Sequence, residues 1–451
     1  MIRLKNCSLI ATFNRNMDEI KDSDIIIEGN KIKKIGKNLE IKGDYEEIDC
    51  SDAVVLPGMF NLHHHFTQIL TRNIPEVQNA KLFEWLTFLY PLWEKIDEEM
   101  IYWASLCAMA ELIKTGATTT VDHHYLYSRR VNKNIVGIQI EAAKRIGMRF
   151  NPIRGFMDKG KSKGGLPPDD VVQEKDEIIK DIIYTIENFH NEDELSMFKI
   201  LIGPCSPFSV SEETMKETIK IACEYNVRMH THLAETIDEL EYCKNVYGKN
   251  PVELMEEIGF LGENVSFVHS IFFEDRDLKI IKDSKSNIVH CPTSNMRLGS
   301  GIARIKEMND MGIRIGLGVD GSSSNDSSDM LGEVRNCLLL QRVKYGSDAL
   351  GARDVLRFGT KEGAEILGYK RLGSIEEGNG ADIIIIKMNK LQFAGALSDP
   401  ISAIVFTGFN HQVDYSIING EIVLREGNLV KVDEEEIVKK INDFSKKLYN
   451  A

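Results

Sequence analysis

The sequence predicts an α/β fold, a (β/α)8 barrel of the TIM type carrying a small β-sandwich domain built from both chain ends. Three observations predict it. Short apolar, β-branched runs alternate with helical stretches between residues 53 and 319, the pattern of parallel strands joined by crossover helices. Strand-and-turn texture flanks both ends of that region. Polar residues able to do chemistry follow the strand runs, where such a barrel gathers its catalytic groups.

Residues 1–56 read as the first part of the β-sandwich. Asp24-Ile25-Ile26-Ile27-Glu28-Gly29-Asn30-Lys31-Ile32 is strand, Gly-Asn turn, strand. The barrel is expected over 57–370. One apolar run, 53–62, leads into it, and further strand runs stand at 118–121, 149–153, 198–202, 227–230, 265–268, 287–289 and 314–319. Helices lie between them, for example at 98–115 and 211–225. The second has Ser211 as N-cap and Glu212 and Glu213 in its first turn. A polar, glycine-rich insert at 158–170 has the length of a lid or a disordered loop. Residues 371–432 return to β texture, with a strand at 381–387 and an Asn-Gly hairpin at 415–423. Chain ends often lie close together, so the two β-rich ends are expected to form one domain. Residues 433–451 read as a charged amphipathic helix.

The 451 residues are 43% hydrophobic and 27% charged, enough apolar material for a large core. The net charge of −14 argues against a nucleic-acid partner, whose phosphates need Lys/Arg neutralisation, and leaves a small neutral substrate open. Eight scattered cysteines, none in a C-x-x-C pair, fit a reduced intracellular protein. No signal-peptide core and no span-length apolar run is present, so the expected location is the cytoplasm, with no membrane partner. A homodimer is the default expectation for assembly.

The run 53–62 ends in His63-His64-His65. Strand alternation puts His63 and His65 on one face and His64 on the other. Two imidazoles on one face make half of a metal site; the bland reading is a tag-like tract, which the apolar lead-in disfavours. Of the 11 histidines, only His190 and His411 lie away from strand ends. A catalytic transition metal takes three or four ligands and keeps a position for water. An imidazole from the fifth strand and a carboxylate from the eighth would complete the set. Bound zinc or iron(II) lowers the pKa of its water from about 15.7 towards about 7. Glu235, three residues after His232, is the candidate proton shuttle.

These residues resemble the amidohydrolase superfamily. Pro57-Gly58 through His65 looks like its P-G-x-x-N-x-H-x-H signature, His230-Thr231-His232-Leu233-Ala234-Glu235 like its fifth-strand motif, and Val319-Asp320-Gly321 like its eighth. Gly373-Ser374-Ile375 through Asp382 resembles the return to the small β domain. Within the superfamily the chain is similar to the nucleobase deaminase and chlorohydrolase branch. Asn61 through Phe66, Thr71-Arg72, 82–86, 204–210 and 319–326 resemble the 8-oxoguanine deaminases, while hydroxyatrazine-type aminohydrolases share much of the pattern.

The resemblance implies a metal-dependent hydrolytic deaminase of a free heterocyclic base, releasing ammonia. 8-Oxoguanine is favoured, with guanine or isocytosine as further candidates. It implies His63, His65, His232 and Asp320 as metal ligands, Glu235 as the acid, and His269 and Asp320 as the groups that orient and deprotonate the water. The binuclear members' carboxylated lysine has no counterpart, because Pro204-Cys205 stands there and Lys199 falls at the wrong end of the strand. One divalent ion follows, zinc before iron(II). His290 reads as lying behind the ligands, and His123 and His124 as structural or pocket-lining.

Substrate contacts are expected from Gln68, Arg72, Trp85 and Cys205. Gln68 offers donor and acceptor to a base edge. Trp85 either stacks on a ring or fills core. Cys205 either faces a ring substituent or packs, and Arg72 either meets an oxygen or caps a helix. Two alternatives stand beside this reading: an s-triazine or other heterocyclic-amine aminohydrolase, and a catalytically inactive scaffold. The second would have lost ligands or the acid, and all six catalytic and metal residues are present. Deamination on a nucleic-acid strand would call for P-C-x-x-C, which is absent.

Overall fold

A computed structural model describes residues 1–128, 131, 134–407 and 410–449. Eight parallel strands form the barrel: Met59–Asn61, Ala117–His124, Arg149–Phe156, Leu201–Pro204, Arg228–Leu233, Val265–His269, Asn287–His290 and Ile315–Leu317. The ring closes between the eighth and the first, where Leu62 N donates to Leu317 O at 2.9 Å. Asn61 rivets that seam. Its amide donates to Thr120 Oγ1 at 2.9 Å and accepts from Val319 N at 2.9 Å. Phe60, Leu62, Val121, Ile153, Leu201, Val268 and Val289 fill the interior, and Tyr369 and Leu372 plug the floor. The barrel is therefore a packed core with its chemistry confined to the mouth.

The expected single strand over 53–62 is two strands in two sheets. Ala53–Pro57 pairs antiparallel with Ile383–Lys387 in the end domain, and Met59–Asn61 pairs with the second barrel strand. Gly58 makes the break. A Cβ there would lie 2.0 Å from Thr118 Oγ1, so only glycine lets the chain cross so close to the second strand. The fourth strand also starts later than expected, at Leu201. Phe198 contributes only an isolated bridge to Phe150, which leaves Lys199 below the sheet.

Both chain ends build one nine-stranded sheet, joined where Val55 pairs with Ile385. Ile25 and Ile27 near one edge share an apolar cluster with Tyr415 and Ile417 near the other, so the sheet closes sandwich-fashion over its own core. Arg149, at the start of the third barrel strand, ties the two domains together. It forms a buried two-pronged pair with Asp382 at 2.8 and 2.9 Å, and Asp382 also accepts from Asn419 N at 2.8 Å. The terminal helix Glu434–Tyr449 packs on the barrel helix Glu98–Lys114, with Lys114 on Glu434 and Lys440 on Glu99. Residues 450 and 451 of the expected terminal helix lie outside the described residues.

The insert 158–170 is held down on the barrel. Asp158 accepts from Ser211 N, Ser211 Oγ and Thr214 Oγ1 at 2.6–2.7 Å, and Tyr242 donates to Gly164 O at 2.9 Å. None of its residues lines the cavity at the mouth.

Candidate active site

The backbone bends sharply where the strands end. Ala234, His269 and Asp320 all take left-handed φ, at 53°, 70° and 67°. Such conformations cost about 1–3 kcal/mol each and are held only by the surrounding fold. Glu239 holds one of these turns, its carboxylate accepting from Ala234 N at 2.8 Å and Glu235 N at 3.1 Å. Asp320 is held by Ser294 Oγ at 2.5 Å on one oxygen and by Gly321 N at 2.7 Å on the other.

Hydrogen bonds fix the imidazole tautomers. Ser266 Oγ donates to Met229 O at 3.3 Å and therefore accepts from His230 Nδ1 at 2.8 Å. His230 Nε2 is then an acceptor, so the proton between it and His63 Nδ1, 2.9 Å away, belongs to His63. His65 Nδ1 donates to His123 O at 2.9 Å, and His232 Nδ1 donates to Cys205 O at 2.6 Å. His63, His65 and His232 thus each present Nε2 as a bare lone pair. Burial, as the main cause, holds all three below the ordinary imidazole range, so they stay neutral.

The lone pairs converge. His232 Nε2 lies 3.1 Å from His63 Nε2 and 3.2 Å from His65 Nε2. Asp320 Oδ1 stands 3.5 and 3.4 Å from the same two nitrogens of His63 and His65. Four acceptors with no proton between them repel each other unless a cation lies in their midst. Bonds of about 2.0–2.1 Å to a tetrahedral metal set its ligands about 3.3 Å apart, which matches this spacing. The donor set fits a divalent metal ion. Two other His groupings share His63. In one, His63 Nδ1 donates its proton to His230 Nε2 at 2.9 Å, so those two nitrogens do not face a cation together, and His123 Nε2 donates to Gly203 O at 3.0 Å. In the other, Asn295 Nδ2 donates to His269 Nδ1 at 3.0 Å, leaving the His269 proton on Nε2, which faces Glu235 Oε2 at 3.5 Å.

The two carboxyl groups of the site are driven apart. Burial pushes both up, but at Asp320 positive charge at the imidazole cluster, first of all at His63, outweighs it and holds the group well below the usual carboxylate range; with His63 neutral, a cation among the four ligand atoms is what supplies that charge. At Glu235 burial is reinforced by the charges of Asp320 and Glu239, and the group is held well above it. One carboxylate and one carboxylic acid on a shared cavity is the division of labour that acid–base chemistry needs.

The cavity at the mouth is lined by Gln68, Trp85, Tyr125, Cys205, Glu235 and Ser324, and by the apolar Leu82, Leu86, Phe208 and Leu298. Gln68 Oε1 and Trp85 Nε1 are buried without a hydrogen-bond partner among the described residues. The Cys205 group is pushed up to about 12 by burial and remains a thiol. Arg72 is the one expected substrate contact placed elsewhere. Its guanidinium makes a two-pronged pair with Glu111 at 3.0 and 2.7 Å, and it does not line the cavity. His64 faces away, onto Ser328 Oγ at 3.0 Å, and His124 meets Leu126 O at 2.8 Å. His290 is buried, and neither ring nitrogen meets a partner among the described residues. Lys199 lies at the opposite end of the barrel.

Sequence reasoning passed over His230, Ser294, Asn295 and Glu239, the residues behind the ligands and the acid. Glu239 carried a signal, an acid four residues after Glu235 in a helix's first turn. Ser294 and Asn295 carried none, because their partners lie 26 residues away on neighbouring strands.

Residues 54–423 match the amidohydrolase family. The chain is 38% identical to an 8-oxoguanine deaminase of Pseudomonas aeruginosa, covering 88% of each chain. It is 32% identical to a 5-methylthioadenosine/S-adenosylhomocysteine deaminase of Pyrococcus furiosus, covering 93% of this chain and 94% of that one. An atrazine chlorohydrolase of Arthrobacter aurescens, solved with zinc, superposes with a TM-score of 0.94 at 29% identity, over 99% of this chain and 100% of the other.

Proposed function

The chain belongs to the amidohydrolase family and hydrolyses C–N bonds, and from that premise we propose that it is a zinc-dependent deaminase of a free heterocyclic base, with 8-oxoguanine as the favoured substrate. The observation that carries the chemistry is the pairing of an acid held protonated, Glu235, with a carboxylate held ionised, Asp320, on one cavity.

His63, His65, His232 and Asp320 would hold the ion. A divalent metal there supplies a Lewis acid that acidifies a water molecule. Asp320 accepts a proton from that water, and His269 Nε2–H helps orient it. Glu235 gives its proton to the ring nitrogen next to the amino-bearing carbon as water adds there. Glu235, now ionised, takes the hydroxyl proton of the adduct and passes it to the amino group, so that the C–N bond breaks, the carbonyl forms and ammonia leaves; the proton held by Asp320 then returns to Glu235. Trp85 Nε1–H is free to donate to a ring carbonyl, and Gln68 Oε1 to accept from a ring N–H; each is otherwise a buried polar atom without a partner among the described residues, which costs about 1–3 kcal/mol. The thiol of Cys205 faces the same space as a neutral wall.

The apolar part of the wall supports a free base over a nucleoside. Leu82, Leu86, Phe208 and Leu298 offer nothing to sugar hydroxyls. The same apolar wall favours one second reading, an alkylamino-s-triazine, whose alkyl group it would cover. Ammonia or amine release from 8-oxoguanine, guanine, isocytosine, 5-methylthioadenosine and hydroxyatrazine separates them. Turnover of 8-oxoguanine well above the others is expected. Preferred turnover of hydroxyatrazine would replace the base by a triazine, and preferred turnover of the nucleoside would remove the free-base reading.

A further inference from the structure

A second cavity, of about 320 Å³, opens at the other end of the barrel, below the amino ends of the fourth and fifth strands. Its walls carry three cations, Lys199, Arg228 and Lys370, and the first two are half-buried without an ion pair among the described residues. Arg228, the first residue of the fifth strand, donates only to a backbone oxygen, Glu263 O, at 3.1 Å. Lys199 lies over the Tyr369 ring at 4.2 Å. Among the described residues neither has a carboxylate within 4.0 Å. The acids that line the same cavity form no ion pair with them: Glu194 pairs with Arg371 at 2.8 Å, and both it and Glu192 act on Lys199 only from beyond pairing distance. Arg314, whose charge also bears on Arg228, is answered by Glu365 at 3.1 Å.

Half-buried like charges without partners are costly to hold. Burial, and then Arg228 and Arg149, push the Lys199 ammonium down to about 8, and burial and then Arg314 push Arg228 down to about 10. The rest of the wall adds donors. His190 Nδ1 accepts from Ile200 N at 3.0 Å, which leaves the proton of its neutral ring on Nε2. Asn226 and Asn264 also line the cavity. Gly368, at φ +75°, lies against the guanidinium, and a Cβ there would sit 2.7 Å from Arg228 Nε. The backbone is thus shaped to let Arg228 lie flat in the wall.

We propose that this cavity binds a small oxyanion of the phosphate class, free phosphate or the phosphate group of a metabolite, between Lys199 and Arg228. It lies at the far end of the barrel from the metal ligands, so it stands or falls independently of the deaminase reading.

Calorimetric titration of inorganic phosphate into the metal-loaded protein, at constant ionic strength, tests it. Saturable binding is expected, weakened at least about tenfold, or 1.4 kcal/mol, in Lys199→Met and in Asn226→Asp. The second variant only adds a negative charge at the rim, so it answers the question if the first fails to fold. Glycerol phosphate in a second arm distinguishes the sources: tighter binding than phosphate points to an organic phosphate, equal or weaker binding to the free ion. Absence of saturable binding to the wild-type protein, or undiminished binding in the variants, overturns the proposal.

Discussion

His230 Nε2 stands 2.9 Å behind His63 Nδ1, and Ser266 stands 2.8 Å behind His230. This relay decides which nitrogen of His63 is bare, because each member can only donate in one direction. Groups that orient a ligand in this way are typically worth 10- to 100-fold in metal affinity. His230→Ala is expected to lose metal by about that factor in competition with a chelator, and His230→Gln, which keeps an acceptor, to lose less. Equal retention by wild type and both variants would mean that the relay does not set the ligand.

Removing the metal tests the ligand set as a whole. Dialysis against a chelator is expected to abolish deamination, and one equivalent of zinc per chain to restore it. The grouping of His63, His123 and His230 is closed by the His63–His230 hydrogen bond, His269 carries its proton on Nε2, and among the described residues no lysine lines the cavity. Two tightly bound ions per chain by elemental analysis would contradict the single site.

Glu235→Gln keeps the size and the burial but removes the movable proton. A fall in kcat of about 10²- to 10⁴-fold is expected, with metal content unchanged. The pH profile gives a second readout with a definite sign. Glu235 is raised, so its protonated, working form persists above the ordinary carboxyl range and is lost as pH rises through its shifted pKa. Asp320 is lowered, so its ionised form persists to acidic pH. The alkaline limb of kcat/KM is expected to vanish in Glu235→Gln; an unchanged alkaline limb assigns it to another group.

Much of this was legible in the sequence because strand ends and the proposed ligands coincide along the chain. All eight barrel strands fell on apolar runs, and the division of His63 and His65 from His64 followed from alternation alone. What sequence could not show is contact between strands. Ser294 on Asp320 and Asn295 on His269 pair residues 26 positions apart, and nothing local marks them. The break at Gly58 escaped for a similar reason, since the residue that forbids a side chain there is Thr118, on the next strand. Arg72 misled in the opposite way. Its place after the metal motif suggested a substrate contact, but Glu111, on the helix Glu98–Lys114, takes the guanidinium first.

Glu333 yields a prediction on stability rather than rate. It is buried, accepts from Thr293 N at 3.1 Å and Asn325 Nδ2 at 2.8 Å, and is pushed up to about 8, chiefly by burial. Its folded form therefore holds a proton more tightly than the unfolded chain, where the ordinary value is about 4.5. Between those two values the unfolded state binds fewer protons, so stability falls as pH rises. Each unit is worth about 1.36 kcal/mol, which makes the full effect a few kcal/mol. Asp122 and Glu239, both pushed up to about 7, act in the same sense in the wild type, and the lowered histidines have finished titrating above about 6.5. Glu333→Gln removes one such term and leaves the others. Its melting temperature relative to wild type is expected to rise steadily from pH 5 to pH 8, as the charge that the wild type must bury is absent from the variant. A difference that stays constant across that range would show that Glu333 does not change ionisation on folding.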